Sequence, residues 1–260
     1  MGSNQTPLRM NVVYIINIAT DRKPGRTVPY KFGIESWKHY CNKHNAKLVV
    51  LEEPILPYDD LRPNWHKVFI FDLLEQSNID VDKILIVDAD TIVHPDAPNF
   101  FDVAEDKFCV VNNIGSYDWL FRSIENYKKY IFNNYNFDVT KYFNSGVLIL
   151  NKTHKEFFNK VKDFYFANKE NLVKMQETFF TGTDQPVLNF MCQIENVDMK
   201  FLPYEFNMQD LHRREALNEN MPYLNMGYIF HFNAIPNNGD NSKTMYWMET
   251  TYNKLYGTNQ

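Results

Sequence analysis

An α/β architecture, with a mainly parallel central sheet flanked by helices in one domain over residues 1–260, is what this sequence predicts. Three observations lead there. Short β-branched runs alternate with segments of helical apolar spacing from Asn11 to Val87, the pattern of right-handed βαβ crossovers. Those runs lack polar alternation, as strands buried on both faces do. Finally, 44% of the 260 residues are hydrophobic, enough for a sizeable core, and no linker, repeat or low-complexity tract divides the chain.

The elements follow in order. Asn11 to Ile18 is a buried strand, and Thr27 to Asn45 a helix with Val28, Phe32, Ile34, Trp37, Tyr40 and Cys41 at helical spacing. Lys47 to Leu51 is a strand closed by the Pro54–Pro57 segment, and Asn64 to Gln76 a helix with Val68, Phe71 and Leu74 inward. Lys83 to Val87 is the most hydrophobic strand and ends abruptly in Asp88-Ala89-Asp90. Further strands are predicted at Phe108–Asn112, Gly146–Leu150 and Tyr228–Phe232. Helices are predicted at Trp119–Phe132, His154–Ala167, Gln185–Cys192 and Ser242–Leu255. The least legible segment is Tyr204 to Leu224, where a substrate-binding insertion can sit.

Composition narrows the function. A net charge of -5 gives no basic footprint for a nucleic-acid partner. No window approaches the roughly 18 apolar residues of a membrane span, and the polar start of the chain shows no signal peptide. Cys41, Cys109 and Cys192 are odd in number and far apart, so they read as reduced thiols or buried small hydrophobes in a reducing, cytoplasmic setting. The sequons at Asn4 and Asn151 then carry no meaning.

In open α/β sheets ligands bind beyond the carboxyl ends of the strands, which is where Asp88 and Asp90 fall. Two carboxylates one residue apart repel each other, and a divalent cation with a taste for hard oxygen, Mn²⁺ or Mg²⁺, relieves that repulsion. Asp80 and Asp82 repeat the spacing in a polar turn and serve as a control, read as solvated turn residues. There is no GxGxxG and no GxxxxGK[ST], so neither a dinucleotide fingerprint nor a P-loop is available.

The stretch Phe69 to Val93, through Lys83-Ile-Leu-Ile-Val-Asp-Ala-Asp-Thr-Ile-Val93, resembles the Asp-x-Asp region of family 8 glycosyltransferases. Three later segments resemble that family in the same order: Tyr142 to Asn151, Thr181 to Asn189, and Ile229 to Phe232. Asn17-Ile-Ala-Thr20 is similar to the loop that holds the nucleotide base. The resemblance covers roughly residues 11 to 235. It implies a GT-A fold, a nucleotide-sugar donor (a UDP-sugar above all), a divalent metal, a glycan or other hydroxyl acceptor, and retention of anomeric configuration.

It also implies roles. Asp88, Asp90 and His231 would hold the metal. Asn17, Ala19, Thr20, Lys67, Asp88, Ala89, Asn144 and Ser145 would bind substrate, and Asp184 or Gln185 would act near the anomeric carbon. Each has a plainer reading: His231 as a satisfied core histidine, Lys67 as an exposed lysine, Asp184 as a helix N-cap. Asn144 and Ser145 can likewise mark a simple turn into a strand, with Gly146 chosen for backbone freedom. The chain departs from the family after the histidine, where His231-Phe-Asn-Ala-Ile-Pro-Asn-Asn-Gly-Asp240 lacks the lysine that contacts the diphosphate.

Two other functions stand beside this one. A haloacid-dehalogenase-type phosphatase would use Asp88 and Asp90 as its nucleophile motif. It normally carries that motif on its first strand, whereas more than eighty residues precede Asp88, and Asn238-Gly-Asp240 is a poor substitute for its later acidic pair. A carbohydrate- or nucleotide-binding module without catalysis is the third reading.

Overall fold

The computed structural model describes residues 9–20, 25–212, 216–218, 220–233, 235–236 and 241–257. Eight strands are described: β1 (Met10–Ile16), β2 (Lys47–Leu51), β3 (Val81–Asp88), β4 (Thr91–Val93), β5 (Phe108–Asn112), β6 (Phe143–Asn151), β7 (Met199–Leu202) and β8 (Ile229–His231). The helices are α1 (Lys31–His44), α2 (Ile70–Gln76), α3 (Phe100–Val103), α4 (Tyr117–Tyr130), α5 (Lys155–Phe179), α6 (Asp184–Ile194) and α7 (Ser242–Tyr256).

Six strands form one sheet in the order β2-β1-β3-β6-β5-β7, and β4 pairs with β8 in a small second sheet. Pairings β1/β2, β1/β3 and β5/β7 are parallel, while β6 runs antiparallel to both β3 and β5. The parallel sheet therefore has one reversed strand. That reversal brings the start of β6 to the edge where β1, β3 and β5 end.

The strand period of two divides the core into layers. Val12, Tyr14, Ile84, Ile86, Phe108, Val110, Leu148 and Leu150 face α4, α5 and α6. Val13, Ile15, Leu85, Val87, Cys109, Val111, Val147 and Ile149 face Trp37, Tyr40 and Cys41 of α1 and Phe100 of α3. A third cluster joins Ile92, Met208, Leu211, Tyr223 and Phe230 to Met248 of α7. All nine residues of β6 are buried, the polar Asn144, Ser145 and Asn151 at its ends as well as the apolar run Val147 to Leu150 between them.

Several sequence expectations are corrected in detail. The segment expected as one helix over 64–76 winds as a 3-10 helix over Pro63–Phe69 before α2 begins. Trp65, His66, Lys67 and Val68 are buried in succession, which a one-sided α-helix does not allow. Helix α5 runs on to Phe179, because Leu172, Met175 and Gln176 continue its inner face through a mostly polar sequence. Strands β4 and β7 escape the sequence reading because they are three and four residues long. Asp82 lies on the exposed start of β3, not in the turn before it.

The three cysteines are free and buried. No helix among the described residues is long and apolar enough to cross a membrane. Asn151 is 6% exposed and caps the turn into α5 with its side chain, so its sequon is closed to modification; Asn4 lies outside the described residues.

That turn sets one pH dependence. The Asn151 N–H donates to His154 Nδ1 at 3.1 Å, so this ring nitrogen must be unprotonated. Burial depresses the His154 pKa below its ordinary 6.5, against the opposing pull of the Asn151 backbone. The unfolded chain then takes up a proton that the folded one refuses, and stability is lost as pH falls through about 6.5 and below. Unfolding free energy measured in urea between about pH 7 and 5.5 should decline, and less steeply in His154→Gln, by up to about 1.4 kcal/mol per pH unit. Equal slopes in the two proteins would refute the linkage.

Candidate active site

Strand register builds the first part of the site. Strand β3 ends at Asp88, a tight turn carries Ala89 and Asp90, and β4 returns antiparallel to β8 with Thr91 opposite His231. Thr91 Oγ1 donates to the Asp88 carbonyl at 2.7 Å and accepts from Trp37 Nε1 at 2.9 Å, which pins the turn to α1. His231 Nε2 then lies 3.2 Å from Asp90 Oδ1 and 3.8 Å from Asp88 Oδ2. One ligand atom from each of the three residues falls within 4.8 Å of the others.

Hydrogen bonding fixes the ring. Asn144 Oδ1 accepts from the Gly146 N–H at 2.9 Å, so the atom of Asn207 facing it at 3.0 Å is the donor Nδ2. The other end of that fully buried amide, Oδ1, therefore faces His231 Nδ1 at 3.0 Å and accepts the hydrogen bond of its N–H. Nε2 is turned toward the two carboxylates. Two hard oxygens, an imidazole nitrogen and a partner holding the ring's far side are a donor set that fits a divalent cation. Burial acts to lower the His231 pKa, but the Asp90 carboxylate beside it prevails and raises it. Burial likewise raises the Asp90 carboxyl, and His231 outweighs that and holds it below the ordinary range.

Gly146 has a different purpose from the one expected. A Cβ there would stand 2.3 Å from His231 Cε1 and 2.8 Å from Asp88 Oδ2, so the residue is glycine for space. Its φ is not in the left-handed region.

The second part of the site is an ion-pair network. Lys67 is 1% exposed, not a surface lysine, and its Nζ lies 2.7 Å from Asp184 Oδ2, 3.5 Å from Asp88 Oδ1 and 3.0 Å from the Ser145 carbonyl. Asp184 also accepts from Ser145 Oγ at 3.0 Å and Thr183 Oγ1 at 2.9 Å. Burial works against both charges, yet each ion outweighs it for the other: Lys67 is raised and Asp184 lowered from ordinary values. Asp184 is the first residue of α6, and Thr183 occupies the cap position, which corrects the N-cap reading. The Gln185 Oε1 accepts from the Ser145 N–H at 3.0 Å, and its Nε2 reaches Asn113 Oδ1 at 3.3 Å.

Asp88, Asp90, Asn144, Ser145, Asp184, Gln185 and His231 line one cleft of about 550 Å³, together with Arg26, Asn64, Trp119, Arg122, Thr181, Gly182, Asp210 and Asn233, while Lys67 lies behind its wall. Ala19 and Thr20 line a separate cavity of about 350 Å³ with Ile18, Tyr58 and His66, at the end of β1. A narrower space bordered by Ile18, Arg26, Ala89 and Asp90 lies between the two. Asn17 borders none of the three; its backbone N–H bonds to the Leu51 carbonyl, and its side-chain Oδ1 is buried without a partner. Asp80 and Asp82 are exposed and remote from the cluster.

Arg26 and Asn207 were missed by the sequence reading. Arg26 follows β1 in a loop and borders both the cleft and the narrow space. Its Nε donates to Tyr30 Oη at 3.4 Å, and burial is outweighed by Tyr30, Asp90 and Asp88, which raise its pKa. Neither residue lies on a periodic apolar face or in a spaced motif, and Asn207 falls in the segment that gave no signal.

Comparison with known proteins bears on the fold and the family. The chain resembles the crystal structure of a glycosyltransferase involved in the glycosylation of the major capsid of PBCV-1, at a TM-score of 0.57 and 14% identity over 92% of this chain and 99% of that one. It also resembles the glycosyltransferase GlyE of Streptococcus pneumoniae TIGR4, at a TM-score of 0.50 and 13% identity over 95% of this chain and 63% of that one. For the bifunctional glycosyltransferase WbbM the TM-score is 0.50 at 15% identity, over 95% of this chain and 51% of that one. At such identities the likeness is one of fold, the GT-A fold. No curated protein sequence matches. The sequence profile described as glycosyl transferase family 8 matches residues 40–256, and the chain belongs to that family of glycosyltransferases.

Proposed function

We propose that the enzyme moves a sugar from a nucleotide diphosphate donor, a UDP-sugar, to a hydroxyl acceptor with a divalent metal, and that the donor's anomeric configuration is kept. The observation that carries this reading is the Asp88, Asp90 and His231 cluster on a cleft that adjoins a cavity at the end of β1. The family resemblance supplies uridine and retention. Three buried free thiols fit a reducing, cytoplasmic setting.

In such a transfer the bond from the anomeric carbon to the diphosphate oxygen breaks, with its electron pair leaving on the diphosphate. A bond forms from the acceptor oxygen to the same carbon, and the acceptor's proton leaves with the diphosphate or to solvent. Mn²⁺ or Mg²⁺ held by Asp88, Asp90 and His231 would neutralise charge on the leaving diphosphate. Arg26 stands beside the carboxylate pair and would bind the same phosphates, in place of the lysine missing after His231. Ala19 and Thr20 would border the base, and Asn17 would shape their loop from within. Ala89 would lie by the ribose, and Asn144 and Ser145 beside the sugar.

Lys67 holds Asp184 in its ionised form, so its carboxylate carries a full negative charge to set against a developing positive centre, whereas Gln185 is a neutral amide whose carbonyl already serves the Ser145 N–H. Asp184 is therefore the better candidate near the anomeric carbon. Gln185 would hold the start of β6, and Lys67 would act through Asp184 and Asp88.

Turnover followed by nucleotide diphosphate release should require Mn²⁺ or Mg²⁺ and stop in excess chelator. Asp88→Asn or Asp90→Asn should cost about 3 kcal/mol or more, roughly a hundredfold or greater in rate, while Asp80→Asn and Asp82→Asn do little. Undiminished turnover in chelator would remove the metal from the reaction.

The product's anomeric configuration, read by NMR, should match the donor's. Asp184→Asn should lower turnover far more than affinity for UDP. Asp184→Ala should in addition strand the buried Lys67 charge and lose about 3–5 kcal/mol of stability. An inverted product would leave the fold in place and sink the retaining reading.

For Arg26→Ala, titration calorimetry with Mn²⁺ present should show weaker binding of UDP and little change for uridine, which lacks the phosphates. An equal loss for both ligands would place Arg26 elsewhere than at the diphosphate.

A further inference from the structure

The cleft does not end at Asp210. A second cavity of about 240 Å³ opens on the other side of that residue, bordered by Ile114, Met208, Leu211, Pro222, Tyr223 and Met226, with Gln209 in its wall. The two spaces share Asp210 and the 113–116 loop: Asn113, Gly115 and Ser116 face the cleft, and Ile114 faces the cavity.

Their junction is tightly built. Asp210 sits at φ 57, in the left-handed region that aspartate enters more readily than most residues with a Cβ. Its N–H donates to Asn233 Oδ1 at 3.3 Å, and Asn233 lines the same cleft. The Asp210 carboxylate occupies the space where a side chain on Gly115 would be, since a Cβ there would lie 1.0 Å from Oδ2. Both the backbone of residue 210 and the absence of a side chain at 115 thus serve to put one carboxylate at the boundary. Gln209, 1% exposed, donates through Nε2 to the Asn112 carbonyl at 3.1 Å and leaves Oε1 buried without a partner. The adjoining walls are apolar, and Ile114 and Met226 remain 44% and 61% exposed, which leaves large apolar side chains uncovered beside a reaction cleft.

We infer that this cavity is the acceptor site, and that the acceptor is a hydroxyl compound carrying a ring-sized apolar group next to the hydroxyl. The inference rests on the transferase reading of the adjoining cleft. Asp210 accepts the hydrogen bond of the acceptor hydroxyl and presents its oxygen toward the cleft, while the apolar group lies between Ile114, Leu211 and Met226. The volume decides the class of ligand. Pockets for drug-sized molecules run from about 300 Å³ upward, so this one suits a single ring and not an extended glycan chain.

The test compares methyl and phenyl β-glycosides of glucose, galactose and N-acetylglucosamine on the full chain with UDP and Mn²⁺ present, by ligand-observed NMR titration. At least one phenyl glycoside should bind about tenfold or more tighter than its methyl counterpart. Ile114→Asn and Met226→Gln, both at exposed positions, should erase that preference, with UDP affinity as the check on folding. Asp210→Asn should weaken binding of the phenyl and methyl glycosides together, because it acts at the hydroxyl.

Failure of all three phenyl glycosides to bind, equal affinity of each pair, or a preference untouched by Ile114→Asn and Met226→Gln would overturn the inference. Loss of UDP binding in the wild-type chain with the phenyl preference intact would instead count against the nucleotide-donor reading and leave the acceptor cavity standing.

Discussion

One buried ammonium organises the centre of this enzyme. Lys67 Nζ lies between Asp184 and Asp88 and bonds to the Ser145 carbonyl, so it joins α6, the end of β3 and the start of β6. An isolated charge in that place would be strongly unfavourable, and it persists because its partners are themselves buried and hydrogen-bonded. The arrangement demands that the 3-10 segment before α2 point Lys67 inward, which its tighter winding and four successive buried residues accomplish. Such a pair contributes little net stability compared with an apolar contact of equal volume. What it provides is fixed geometry between two carboxylates that belong to different elements.

The reversed strand β6 is the second constraint. Were it parallel to its neighbours, Asn144 and Ser145 would lie at the far edge of the sheet from Asp88. Antiparallel pairing sets Val147 against Val87 and thereby brings Asn144, Ser145 and Gly146 beside the β3–β4 turn. From there one hydrogen-bond chain runs from the Gly146 N–H through Asn144 and Asn207 to His231. Every link is buried, so each polar group must be matched, and the orientation of every amide follows from the first donor. The imidazole is aimed by the backbone of a strand that it does not belong to.

Much of this was legible beforehand. The apolar runs Val12 to Ile16, Ile84 to Val87 and Val147 to Leu150 within β1, β3 and β6 fit strands buried on both faces, and the abrupt change from Val87 to Asp88 marks the strand end where ligands bind. Asp88 and Asp90 stood out because two carboxylates at a strand end repel and need a reason, and Asp184 and His231 because each sits in a segment that resembles the family. Lys67 was ambiguous, since spacing alone does not tell a buried lysine from a solvated one. Asn207, Asp210 and Arg26 gave no signal. Their placement depends on long-range pairing, such as the bridge between Met208 and Phe230, which local propensity cannot encode. Strand β4 was unreadable for the same reason: three residues become a strand only because β8 lies opposite.

The charges of the cleft bear on the divalent cation proposed for its floor. The positive charge of Lys67 is engaged by Asp184 at 2.7 Å and only secondarily by Asp88 at 3.5 Å. Asp88 and Asp90 therefore face the cleft with Arg26 as a nearby cation, one positive charge against two negative. A diphosphate bound there as proposed would bring at least two further negative charges to that surface, and at short range each uncompensated pair costs about 1–4 kcal/mol even in a well-screened site. A divalent ion at the carboxylates would reverse the sign of the floor and turn that repulsion into attraction. Its liganding atoms already converge, and the charge they lack is the one a donor would require.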